Sequence, residues 1–222
     1  MPNRNFEATD SFYDTIGEVL FLKDKAIEAS HNDQDNIRML YLKLSVVNSV
    51  IKFQVFIESI LKEYKYKVTQ MSVRNRELPI HLRLNWLKIA LEDKKLLSCL
   101  NDPTTYSETK LTEVRQLLYS KYSISHDNRS MTSNLEFNIK FPMGKQGLKQ
   151  LKKLFKQING EDVFVNFSSD ENRINEILNM RHNIVHDDTN PTTLSEAKIV
   201  EYVDFFKGLV EEIDEYCYQF CE

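Results

Sequence analysis

The chain has 222 residues, only five Gly and five Pro, 41% hydrophobic and 28% charged residues, and a formal net charge of −4. That length supports a sizeable core. The scarcity of turn formers argues against a turn-rich β fold, and the acidic balance excludes nucleic-acid binding through overall charge, so any RNA contact must use a local basic patch.

Three cysteines, Cys99, Cys217 and Cys221, are odd in number and not spaced for zinc, so a reducing cytoplasm is the expected compartment. No signal peptide is read at Met1-Pro2-Asn3-Arg4, and no apolar run is read as membrane-span length, so no membrane is expected as a partner.

In chain order, Phe12, Ile16, Val19, Leu20, Lys23 and Ile27 predict a first helix over about 10–30, capped by Asp10 or Ser11. A polar break over 31–36 follows. The helix predicted over about 36–67 is apolar round most of its circumference, the mark of a central bundle helix. Its Glu58 falls on the side of Val47, Ile51 and Leu61; it is either an edge residue reaching solvent or a carboxylate with a cationic partner. After a connector carrying Arg74 and Arg76, a helix is predicted over 81–100 with Leu84, Trp86, Leu87 and Leu91 buried. Another is predicted over about 108–121 with Leu111, Val114, Leu117 and Leu118 on one face. The polar stretch 122–133, with His126, reads as exposed. Leu135, Phe137, Ile139 and Phe141 have strand spacing; the segment either pairs with 163–165 or is simply extended.

The helix predicted over 145–158 buries Leu148, Leu151, Phe155 and Ile158. Lys145, Lys149, Lys152 and Lys156 form a parallel row, with Lys153 nearby and no acid from Phe137 through Gly160. Such a row is either a solvated face or a contact for a phosphate backbone. Ser168 and Glu171 have capping-box spacing and start a further helix near Ser169, which ends before Pro191. The last helix, capped by Thr193 or Ser195, carries a heptad seam of Ile199, Val203, Phe206, Val210, Ile213, Cys217 and Phe220, with Cys217 a small hydrophobe rather than a nucleophile. The expected fold is one all-α, up-down helical bundle over 1–222, with a small extended or β insertion over roughly 122–165.

Arg181-His182-Asn183-Ile184-Val185-His186 stands apart from this scaffold. Ile174, Ile177, Leu178, Ile184 and Val185 share one helical face, and Arg181, four residues from both Ile177 and Val185, points along its middle. A permanent cation there calls for a partner. The ordinary reading is a surface Arg complementing the helix dipole and a His satisfied by packing. His186 lies about 140° round a continuous helix from Arg181. The two side chains converge only if the helix bends after Met180 or if two copies of the chain meet. His182 and His186 also have the i,i+4 spacing of a metal pair, yet Asn183 stands where a zinc-protease motif has Glu and no third ligand is evident. No metal or cofactor is expected.

Arg181, four intervening residues and His186, with His182-Asn183 after the Arg and Asp187 after the His, resemble the RX4-6H signature of the HEPN superfamily, and most closely its RiboL-PSP-type branch. Residues 55–62 resemble that family's apolar helix with an internal acid, and 148–160 the segment before its motif helix. The likeness covers roughly 35–67 and 145–220. Many HEPN proteins have Asn directly after the Arg; here His182 holds that place and Asn183 follows, which leaves open which residue is the polar helper.

The resemblance implies a metal-independent endoribonuclease acting on RNA as a homodimer. It further implies a toxin or effector of a prokaryotic toxin-antitoxin or phage-defence system, with an antitoxin or defence protein as partner. Arg181 would clamp the phosphate and His186 act as base or acid. His182 and Asn183 would assist, Asp187 would support them, and Glu58 would orient Arg181 or a histidine. The residues suit that chemistry: a near-neutral imidazole deprotonates the 2′-OH, and a fixed guanidinium meets charge developing on phosphorus. The competing expectation is a non-catalytic HEPN-like module that binds a protein or nucleotide within a larger defence complex.

Overall fold

The computed structural model describes residues 5–71, 74–91, 107–121, 139–141, 147–165, 167–186 and 191–221. These residues hold seven α-helices: α1 (Glu7–His31), α2 (Asp35–Gln70), α3 (Ile80–Leu91), α4 (Glu108–Lys121), α5 (Gly147–Asn159), α6 (Glu171–His186) and α7 (Glu196–Tyr218). Single 3-10 turns occupy Asn75–Glu77 and Val163–Val165, and no strand occurs among the described residues. The fold is all-α.

By contact density the chain divides into two compact units, one of Met1–Tyr64, Ile139–Lys153 and Asp162–Glu222, the other of Lys65–Asn138 and Leu154–Glu161.

In the first unit α1 runs antiparallel to α2: the Glu7 amide donates to the Glu63 carboxylate (2.8 Å), Phe12 meets Phe56 edge-on, and Glu18 pairs with Lys52 (2.8 Å). It is antiparallel to α7 as well, because its N-terminus is tied to Asp214 and Tyr13 donates to Glu211. The α2 and α7 helices run in the same direction, Arg38 meeting Glu196 near one end and Phe53 stacking on Phe206 further along (4.7 Å). The core is built from these faces: Val46, Val50, Phe53, Phe56, Ile57, Ile60 and Leu61 of α2 against Ile199, Val203, Phe206, Val210 and Ile213 of α7.

The α1 helix starts earlier than its own residues predict. The buried Asp214 carboxylate accepts from the amides of Asn5 (3.0 Å) and Phe6 (3.2 Å), the Asn5 side chain (2.8 Å) and the Thr9 hydroxyl (2.5 Å). These donors offset the cost of burying the charge and occupy amides at the helix entry. The cap therefore comes from α7, and neither Asp10 nor Ser11 supplies it.

Elsewhere the local expectations meet distant partners. The capping box at Ser168 does not form: the Ser168 amide and hydroxyl both donate to Glu212, while Asp170 accepts from the Asn172 amide (2.8 Å) just before α6 begins. Residues Val163–Val165 form a 3-10 turn whose Phe164 amide donates to Asp162 (3.1 Å), so they are no partner strand for 135–141. Of that strand-spaced segment, Ile139 to Phe141 is neither helix nor strand, Phe141 is buried edge-on against Phe53, and Leu135 and Phe137 lie outside the described residues. Finally, α2 does reach membrane-span length and apolarity, but half of its most apolar window is buried inside the fold, as in a core bundle helix.

In the second unit Leu82 of α3 is fully buried while Leu84, expected inside, is exposed, as is Leu111 of α4. The predicted helix beyond Leu91, the side chains of Trp86, Leu91, Val114, Leu117 and Leu118, and His126 lie outside the described residues. Gly160 closes α5 with a left-handed φ of 87°, and a Cβ there would sit 2.2 Å from Nε2 of His81. Both features call for glycine at this helix end.

Candidate functional site

The motif helix α6 is held by its neighbours on both sides. It runs antiparallel to α7: Ser168, just before α6, meets Glu212, Arg173 pairs with Glu201, and Glu176 pairs with Lys198 (3.0 Å). Tyr202 donates to Glu176 (3.1 Å) and lies under Arg173 and Lys198, whose charges sit 5.2 and 5.6 Å from its ring centre. Burial works to raise the Glu176 carboxyl, but hydrogen bonds from Lys198, Arg173 and Tyr202 outweigh it and hold the group below its ordinary value. Burial, with the Glu176 charge beside it, pushes the Tyr202 phenol up. Sequence reasoning missed this cluster, although Arg173/Glu176 and Lys198/Glu201 each stand at the i,i+3 spacing of a helical ion pair.

The α5 helix runs antiparallel to α6. A Cβ on Gly147 would lie 2.6 Å from Cδ1 of Leu178, so the start of α5 lies against the turn preceding Arg181. Further along, Lys152 bridges Glu171 (2.6 Å) and Asp162 (2.9 Å) and lies over the Phe164 ring at 5.5 Å.

Between these contacts α6 runs unbroken through the motif to His186. The bend after Met180, one of the two routes to convergence, is absent. Ile174, Ile177, Leu178 and Ile184 are buried, while Val185, expected on the same face, is 45% exposed. Arg181 continues the buried stripe and is half-buried; its Nε is buried without a hydrogen-bond partner. The Nδ1 of His182 is likewise buried and unpartnered. His182 and His186 lie one turn apart with ring centroids 4.6 Å apart and planes tilted by 44°. His186 and Asn183 are exposed.

The fold therefore brings the two histidines together, turns Arg181 toward the core, and leaves Arg181 and His186 on different sides of one helix. Glu58 accepts from Gln54 and from the Phe141 amide, both at 3.3 Å; its hydrogen bonds do not reach Arg181 or a histidine. Lys149, Lys153 and Lys156 are exposed, but Lys152 is a structural clamp because two carboxylates already neutralise it. Asp187 and Lys145 lie outside the described residues. Among the described residues no three His, Cys, Asp or Glu side chains are grouped as for a metal ion.

An all-α bundle that presents Arg-X4-His in the last turns of one helix has the architecture of a HEPN-type module. The RiboL-PSP-HEPN family model matches residues 10–219, and the chain belongs to that branch of the HEPN family. Such domains are nuclease-type or nucleotide-binding modules. No curated protein and no solved structure matches the chain.

Proposed function

We propose that the protein is a metal-independent endoribonuclease of the cytoplasm, acting as a toxin or effector in a toxin-antitoxin or phage-defence system. One observation carries this reading: a half-buried guanidinium with an unpaired Nε and a pair of imidazoles in ring contact occupy the last turns of α6. A buried donor left unpaired costs stability, and a phosphate oxygen is the acceptor that this site lacks.

In the reaction, His186 takes the proton of the 2′-OH as that oxygen bonds to phosphorus. The P–O5′ bond breaks, and a second imidazole protonates the leaving O5′. The ends produced are a 2′,3′-cyclic phosphate and a 5′-hydroxyl, with no water consumed. Arg181 binds the non-bridging oxygens as charge grows on them. Asn183 and His182 orient RNA and the imidazole, with Asp187 supporting the end of the motif.

The test is incubation of the purified protein with RNA, with and without EDTA. Cleavage that persists in EDTA and leaves cyclic phosphate ends supports the proposal. Strict Mg²⁺ dependence or 3′-hydroxyl ends would overturn it. Nucleotide binding without cleavage would favour the non-catalytic module.

A further inference from the structure

Two imidazoles one turn apart on an unbroken helix have a use besides proton transfer. His182 and His186 stand at i,i+4 on α6, with ring centres 4.6 Å apart and planes tilted by 44°. That spacing puts two imidazoles on one helical face, and a neutral imidazole offers a nitrogen lone pair to a metal ion. Two histidines so spaced can hold one ion between them.

Three observations give the pair the form of a metal site. The first is distance. With metal–nitrogen bonds of about 2.0–2.1 Å, each ring centre lies roughly 3.2 Å from the ion, so centres 4.6 Å apart subtend about 90° there. Neighbouring positions on tetragonal Cu²⁺ or Ni²⁺ meet at that angle, whereas tetrahedral zinc asks for about 109°. The second is orientation. Nδ1 is the nitrogen of His182 that the fold buries, without a hydrogen bond, which leaves Nε2 to bind an ion from outside. His186 is exposed, so an ion reaches the pair without displacing the backbone.

The third observation is the local field. His186 is the last residue of α6, where carbonyls without helical partners carry a partial negative charge that favours a cation. The permanent cation of the motif, Arg181, continues the buried stripe, about 100° or more round the helix from both rings. No third His, Cys, Asp or Glu joins the pair among the described residues, so water fills the remaining positions. Such a site holds its ion exchangeably, unlike the closed four-ligand sites of structural zinc. An ion held there occupies the lone pair with which His186 would take the 2′-OH proton.

We infer that His182 and His186 form a two-imidazole site for a divalent ion of the copper–nickel kind, and that such an ion, exchanging two of its waters for the two ring nitrogens, switches the motif off. The site rests on the histidine pair alone; the switching rests on the ribonuclease reading above.

Calorimetric titration of the full chain with Ni²⁺, without RNA, tests the site, in a Cys99→Ser, Cys221→Ser background that removes competing thiols. About one Ni²⁺ per chain should bind, and His182→Asn or His186→Asn should each weaken binding at least about 10-fold. The second variant changes an exposed side chain, so its helical circular dichroism should match the parent's. Co²⁺ and Mn²⁺ should bind successively more weakly, and Mg²⁺ not at all. Ni²⁺ should raise the melting temperature of the parent and leave that of His186→Asn unmoved. Absence of binding, or Ni²⁺ binding that survives both substitutions, would overturn the site. Cleavage by the parent should be lost as Ni²⁺ saturates the pair and return with EDTA. Ni²⁺-loaded protein that cuts RNA at the metal-free rate would overturn the switch and leave the ribonuclease reading standing. A chain that binds Ni²⁺ through the pair but cuts no RNA even when metal-free would keep the site and refute the ribonuclease reading, and the switch with it.

Discussion

The rings of His182 and His186 stand 4.6 Å apart, centre to centre, one helical turn from each other. Because α6 is continuous, its i,i+4 spacing brings the two residues to the same face. Arg181 precedes the pair on the buried side, its Nε without a partner.

Replacing Arg181 or His186 by Ala should lower RNA cleavage by at least about 10²-fold each, the usual loss when a charge-stabilising donor or a proton-transfer group is removed. Stability should fall by no more than about 1 kcal/mol for Arg181→Ala, because the buried Nε makes no hydrogen bond that would be lost and only the packing of the half-buried stem goes. Asn183→Ala should cost less. Single-turnover rates beside thermal melts check both halves; parent-like cleavage by both alanine variants would end the ribonuclease reading.

The lysines of α5 should separate into two kinds. Changing exposed Lys149, Lys153 and Lys156 to Gln should weaken RNA binding, and each true contact with single-stranded RNA should reduce the log–log salt slope by about 0.7. Stability should stay within about 0.5 kcal/mol per site. Lys152→Gln should instead destabilise the fold by about 1 kcal/mol, because Asp162 and Glu171 lose their shared cation. A binding curve unmoved by salt in the triple variant would make the row a solvated face.

The Glu176 cluster gives an acid-range signature. Its carboxyl is held below the ordinary 4.5 in the folded state, so its stabilisation is fully present above that value and is lost as pH falls through the lower folded value. Glu176→Gln should therefore melt earlier at neutral pH and show a shallower loss of melting temperature below about pH 4.5. Parallel curves for parent and variant across that range would refute the role.

Much of this was legible in the chain because it is local. The 3.6-residue periodicity placed α4 at its observed bounds and α2 within three residues of its ends. The Arg181–His186 spacing is likewise visible in the sequence alone and singles out the candidate motif. What was not legible depends on distant partners. Lys152 looks like its neighbours in sequence and differs only because Asp162 and Glu171 fold back onto it. Ser168 has the spacing of a cap, but Glu212 of another helix claims its amide and hydroxyl. The α2 helix reads as apolar round most of its circumference, and only its packing shows which side stays bare.

The tie between Asn5 and Asp214 spans 209 positions. On a ribosome the first helix emerges long before the carboxylate that caps it, and closing so long a loop must wait until α7 has been made. Until then the amides of Asn5 and Phe6 and the Thr9 hydroxyl have only water to bond. The newborn chain should therefore remain sensitive to protease at α1 until α7 has cleared the exit tunnel.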